Sequence, residues 1–168
     1  RRPTKEFSKI CNRRIDFMTT QNSHLSEIAS IISSCRRLEE LGNNKTGPRK
    51  IIREAIFFIW ETGVNKPTKF SKKRARSIRA SKEKDIKNLR YDHPIPLKII
   101  IEKLYSLEEI NEASLLRILN RYIKEGGILI TKEEDKVLNE KGLRSSMPKD
   151  WDEEDILARY KKAGIEIA

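Results

Sequence analysis

The stretch NLRYDHPIPLKII, residues 88–100, is where the chain passes from strand to helix. LRYDH reads as a short strand. Pro94 biases His93 towards an extended backbone. Pro96 has no N–H to give to a ladder, so a strand must end here. LKIIIEKLYS, residues 97–106, then reads as a short helix behind the two prolines. His93 therefore stands at a strand exit, a place from which side chains are presented to a cleft. Asp92 precedes it directly. Neighbours on a strand point to opposite faces, so unless the backbone bends, a third group would have to orient the imidazole.

Downstream, Asn111 caps a helix over EASLLRILNRYIKE that stops at Gly126-Gly127, and ILIT, residues 128–131, reads as a buried strand. Thr131 and Glu134 form an S/T-x-x-E capping box for the helix KEEDKVLNEK, which Gly142 ends. LRSSMPKD is a loop. WDEEDILARYKKAG reads as a last helix with acids first and cations last, the favourable order for the helix dipole, and IEI as an edge strand.

Upstream, Asn22 or Ser23 caps a helix to about Leu41. Its apolar face is Leu25, Ile28, Ile31, Ile32, Cys35 and Leu38. GNNKTG is a turn. Pro48 opens a second helix, stopped by Gly63, that reads as buried over much of its girth through Ile51, Ile52, Ala55, Ile56, Phe58 and Ile59. Ser71 can cap a third helix running towards Leu89, with Ala75, Ile78, Ile86 and Leu89 on one narrow stripe.

The expected fold is α+β, predominantly helical, with a small sheet of about three short strands. Residues 1–17 read as a flexible N-terminal arm, 18–64 as a helical pair, 65–90 as a basic helix or linker, and 89–168 as a compact α+β unit. The helical pair either packs on that unit as one domain or stands by itself.

The 168 residues carry a net charge of +11 and a pI near 9.7. The excess is local. Residues 65–90 hold eleven Lys/Arg against two Asp/Glu, whereas 101–168 are net negative by three. A concentrated basic patch favours a polyanionic partner. Nucleic acid, DNA or RNA, is the first candidate, with Lys69, Lys72, Lys73, Arg74, Arg76, Arg79 and Arg90 gripping phosphates and Tyr91 beside a bound strand. Positive charge at the start of a helix opposes its dipole, so a sequence that keeps it there has a use for it. No apolar run reaches the roughly 20 residues a membrane span needs. No secretory h-region is visible, and Cys11 and Cys35 have no metal spacing. A reducing, cytoplasmic setting is expected.

The order D-H-x-x-P at Asp92-His93 resembles the first motif of HNH-type nucleases, the ββα-metal or His-Me finger group. The resemblance covers five residues. It implies a Mg²⁺-dependent nuclease with His93 as the base that activates water, Asp92 and Arg144 at the catalytic centre, and Asp92, Asp135 and Asn139 as metal ligands. The strand ILIT and the helix after it would be the second half of the motif, with Asp135 and Asn139 sharing a helical face at i, i+4. Thirty-four residues separate His93 from Ile128, and the Cys knuckles of many members are absent.

No phosphate-cradling glycine loop, GxSxG, HExxH or paired Cys/His zinc spacing occurs, which speaks against a nucleotide-fuelled enzyme, a serine hydrolase and a zinc finger. The competing expectation is a non-catalytic helical interaction module. Its basic stretch would dock on an acidic protein partner.

Overall fold

The computed structural model describes residues 24–42, 46–63 and 66–168. The expected N-terminal arm, the caps at Asn22 and Ser23, Cys11 and part of the GNNKTG turn lie outside the described residues. The chain is predominantly helical with a two-stranded antiparallel sheet. In order, the elements are α1 (24–41), α2 (Thr46–Ala55) running into a π-helical turn (Ile56–Glu61), α3 (Ile78–Lys82), a 3-10 turn (Ile86–Asn88), β1 (Leu89–Asp92), α4 (Leu97–Tyr105), α5 (Glu112–Ile123), β2 (Ile128–Thr131), α6 (Lys132–Glu140) and α7 (Ala158–Ala163).

β1 pairs with β2 in the register Leu89↔Thr131, Arg90↔Ile130, Tyr91↔Leu129, Asp92↔Ile128. β2 is buried at all four positions. Its alternation serves two cores at once: Ile128 and Ile130 pack with Leu138, Leu143 and Tyr160, whereas Leu129 packs on the other face with Leu89 and Ala80. The largest core joins Leu25, Ile28 and Ile32 of α1, Ile52 and Ile56 behind α2, and Ile100, Leu104, Leu115 and Leu119 of α4 and α5. Each fully buried Ile or Leu there contributes about 1.5–3 kcal/mol. Residues 24–61 thus share one core with the helices that follow β1. Among the described residues no helix is long and apolar enough to cross a membrane.

Two caps fall where the sequence puts them. Asn111 and Ser114 form a reciprocal box at α5, and Thr131 and Glu134 form another at α6. Gly142, at φ +68°, ends α6, with Leu143 N–H donating to the Leu138 carbonyl.

Five expectations need correction. The sheet has two strands, not three: the C-terminal IEI makes only an isolated bridge, Ser77↔Ile167, because the extended segment before α3 lies between it and β2. The basic stretch is not one helix from Ser71. Its backbone is spent on long-range partners, with Leu129 N–H donating to the Ala75 carbonyl and Ser77 N–H to the Leu129 carbonyl. Helix begins only after Ser77, whose hydroxyl caps Ala80 N–H. The last helix is short because Asp152 and Asp155 turn the chain by accepting from nearby backbone N–H groups, and Glu153 sits at φ +69°. The second helix is not buried around its girth, since Ile51 is 49% and Phe58 63% exposed. Finally, Leu38 lies beyond the buried end of α1 and is exposed.

Candidate functional site

A cleft of about 490 Å³ opens at the Asp92/Ile128 end of the sheet. Four segments far apart in sequence wall it: α2 and its π-helical turn, the basic stretch, the β1 exit into α4, and α6 with the loop after it. His93 lines it, as do Asp135 and Arg144. Among the described residues five cationic side chains line it, Arg53, Lys69, Arg90, Lys98 and Arg144, against the acids Glu54, Asp92 and Asp135.

Asp92 and His93 part as strand neighbours should. The His93 ring, 12% exposed, meets the Glu61 carboxylate, which is fully buried, at 2.8 Å from Nε2 to Oε1. The other oxygen, Oε2, accepts from the Tyr91 hydroxyl and from Gly127 N–H at 3.1 Å. Gly127 N–H also donates to the Tyr91 hydroxyl at 2.7 Å. Both oxygens of the buried carboxylate are thereby bonded. Burial, and then the Glu61 charge beside it, push the Tyr91 hydroxyl above its usual range.

Glu61 reaches this place because α2 ends in a π-helical turn. Thr62 N–H and its hydroxyl both close on the Phe57 carbonyl, five residues back, at 3.0 and 2.9 Å. The wider turn puts Ile56, Trp60 and Glu61 together on the inner side. Gly126 and Gly127 do more than stop α5. A Cβ on Gly127 would fall 2.6 Å from the Tyr91 ring and 2.9 Å from the Asp92 carbonyl. Only glycine lets the backbone approach Tyr91 this closely.

Asp92 turns the other way. Its Oδ2 bonds the Arg159 guanidinium and the Tyr160 hydroxyl, the latter at 2.8 Å. Burial pushes the Asp92 carboxyl up. Arg159, the Tyr160 bond and His93 pull against it, and Asp135 adds to the rise. Arg159 is completely buried and also donates to the carbonyls of His93, of Pro94 at 2.8 Å, of Leu143 at 2.8 Å and of Arg144 at 3.3 Å. One guanidinium thus ties the β1 exit to the loop that carries Arg144.

The other expected residues divide. Lys69 and Arg90 line the cleft, and Lys72, Lys73 and Arg79 are exposed outside it. Arg76 is half-buried, with weak bonds to the Phe70 and Ser71 carbonyls. Arg74 does not offer its charge to a partner. It is 5% exposed and donates to the Glu61, Pro67, Thr68 and Glu125 carbonyls. Nor is the Tyr91 ring an open stacking platform. It stands edge-on to Phe57 and His93, and Lys69 and Arg74 lie over it.

The metal set of the resemblance does not assemble. Asn139 is exposed late on α6 and does not line the cleft. Asp92 is committed to Arg159, and Asp135 pairs with Arg144 at 3.9 Å. Among the described residues no group of three or more His, Cys, Asp or Glu side chains stands ready to hold a metal ion. The residues present do not fit Mg²⁺ as the motif drew it. Sequence reasoning missed Glu61 and Arg159. The signal for Glu61 was a charged residue closing the apolar run Ala55–Trp60; Arg159 gave none.

No protein-family model matches the chain, and no curated protein or solved structure matches it.

Proposed function

We propose that the protein binds nucleic acid in the cleft around His93 and cleaves the phosphodiester backbone there. One observation carries the reading: five cationic side chains and a histidine backed by a buried carboxylate line the same cleft. The antiparallel pair β1–β2 followed directly by α6, with His93 just past the first strand, is also the order that the nuclease resemblance implies.

The site's parts suit that chemistry. Arg53, Lys69, Arg90, Lys98 and Arg144 are placed to meet phosphate oxygens and the negative charge that grows on them as a nucleophile attacks phosphorus. His93 takes a proton from water. The water oxygen bonds to phosphorus, the bond from phosphorus to the leaving ribose oxygen breaks, and that oxygen takes up a proton from solvent. His93 then returns its proton to solvent.

The test joins binding to cleavage. Affinity for a labelled oligonucleotide should fall steeply with salt, as counterion release at several phosphate contacts requires. His93→Ala should bind as the wild type does while cleavage drops by about 10²–10⁴-fold, the usual worth of a general base. A shallow salt slope with no cleavage would end the reading and favour docking on an acidic protein. Cleavage at wild-type rate in His93→Ala would remove the catalytic half.

A further inference from the structure

Glu61 is fully buried, ends a π-helical turn and meets the cleft through two of its lining residues, His93 and Tyr91. Its two oxygens meet different demands. At Oε2 stand two donors: Tyr91 O–H, and Gly127 N–H, a backbone group that can only donate. At Oε1 stands Nε2 of His93, 2.8 Å away. A carboxylate accepts and does not donate, so the imidazole must present Nε2–H to it. The proton of the neutral ring is then on Nε2, and the lone pair is on Nδ1.

We infer that Glu61 is the positioning residue of the site: locked by Tyr91 and Gly127 on one oxygen, it holds His93 in the Nε2–H tautomer with the other and so leaves Nδ1 as the working base. This rests on the proposed cleavage for its consequence, but the tautomer itself is a property of the resting protein.

The geometry makes an isosteric change informative. In Glu61→Gln one oxygen becomes an NH₂. The oxygen that remains is favoured on the side of Tyr91 and Gly127, because an NH₂ there would leave the Tyr91 O–H without its acceptor and set a donor against Gly127 N–H, whose other bond is to the Tyr91 hydroxyl. The NH₂ is therefore turned towards His93. Nε2 must then accept, and the ring's proton moves to Nδ1. The side chain keeps its volume and its contacts with Tyr91 and Gly127, while the base loses its lone pair.

The chain has only two histidines, His24 and His93, so long-range ¹H–¹⁵N spectra of the full chain, at a pH where the rings are neutral, show two imidazoles, and His93→Ala assigns them. The wild type should show Nε2–H at His93, and Glu61→Gln should show Nδ1–H. In the same variant the cleavage rate should fall about 10²–10⁴-fold with oligonucleotide affinity unchanged. A wild-type Nδ1–H form, or an Nε2–H form retained in Glu61→Gln, would overturn the inference. So would full activity with the tautomer switched. If Glu61→Gln does not fold, Tyr91→Phe replaces it: Gly127 N–H still fixes Oε2, and a loss of Nε2–H there would overturn the inference. If the wild type cleaves nothing, the proposed function fails and the tautomer result still stands or falls by itself.

Discussion

The two ends of the small sheet each bury a glutamate, and the two could hardly be used more differently. At the Leu89/Thr131 end, Glu134 accepts from Ser77 Oγ at 2.6 Å and from Thr131 N–H at 2.8 Å, and all its partners are internal. At the Asp92/Ile128 end, Glu61 is just as buried, but one of its three partners is a histidine that lines a cationic cleft. Burial of a carboxylate is costly at either end and tolerated only when it is fully bonded. What separates a brace from a site is whether the chain of bonds stops inside the protein or surfaces in a cleft. Removing partners at each end should therefore split stability from activity.

The largest effect is expected from Arg159, the brace at the open end. Arg159→Ala leaves the Asp92 carboxylate without its cation and up to four carbonyls without a donor. Breaking a buried pair from one side costs about 3–5 kcal/mol, which a urea titration would read directly. Because the same guanidinium joins the His93 and Arg144 carbonyls, whatever folds should also cleave poorly. A loss below about 1 kcal/mol would mean that the turn at Pro94–Pro96 holds itself.

That difference between the ends also explains what could be read from the sequence. Glu134 was legible because its Thr131 partner is three residues away and the capping box is a local pattern; its bond from Ser77, 57 residues off, was not. The strand exit at His93 was legible for the same reason, since prolines act on their immediate neighbours. Glu61 lies 32 residues from His93 and 66 from Gly127, and Arg159 is 67 from Asp92. No periodicity encodes such meetings. Arg74 shows the converse error: counted with the exposed cations of a charged run, it is spent on four backbone carbonyls. Charge density located the basic wall of the cleft through Lys69 and Arg90 but could not tell which cations face outward. The missing third strand has a similar cause, because the residues before α3 take β2's hydrogen bonds through contacts more than fifty residues apart.

The closed end gives the next effect. Glu134→Ala would leave Ser77 Oγ and Thr131 N–H buried without an acceptor and weaken the start of α6. Losses of about 1–3 kcal/mol are expected for such orphaned groups. The His93 tautomer and the cleavage rate of the folded fraction should not change. If Glu134→Ala lowers cleavage as much as Glu61→Gln does, the two ends are not separable and the contrast fails.

The smallest effect is expected at Tyr91, and pH sharpens it. Tyr91→Phe removes one of three donors to Glu61 and leaves Gly127 N–H in place, so about 1 kcal/mol should be lost near neutrality. In the folded protein the Tyr91 hydroxyl titrates above its ordinary value of 10.0, first because it is buried and then because Glu61 is beside it. The folded state therefore keeps a proton that the unfolded chain releases. The stability this contributes is fully present below pH 10 and is lost as pH rises above it, by at most about 1.4 kcal/mol per pH unit. Phenylalanine has no proton to lose. The wild type's advantage over Tyr91→Phe, measured by urea midpoints, should be constant up to pH 9 and shrink or reverse by pH 11. Tyr160, also raised by burial and by Asp92, titrates in both proteins and cancels in the comparison. A difference that stays flat from pH 9 to 11 would mean that the Tyr91 hydroxyl meets solvent freely, and the lock on Glu61 would then rest on Gly127 alone.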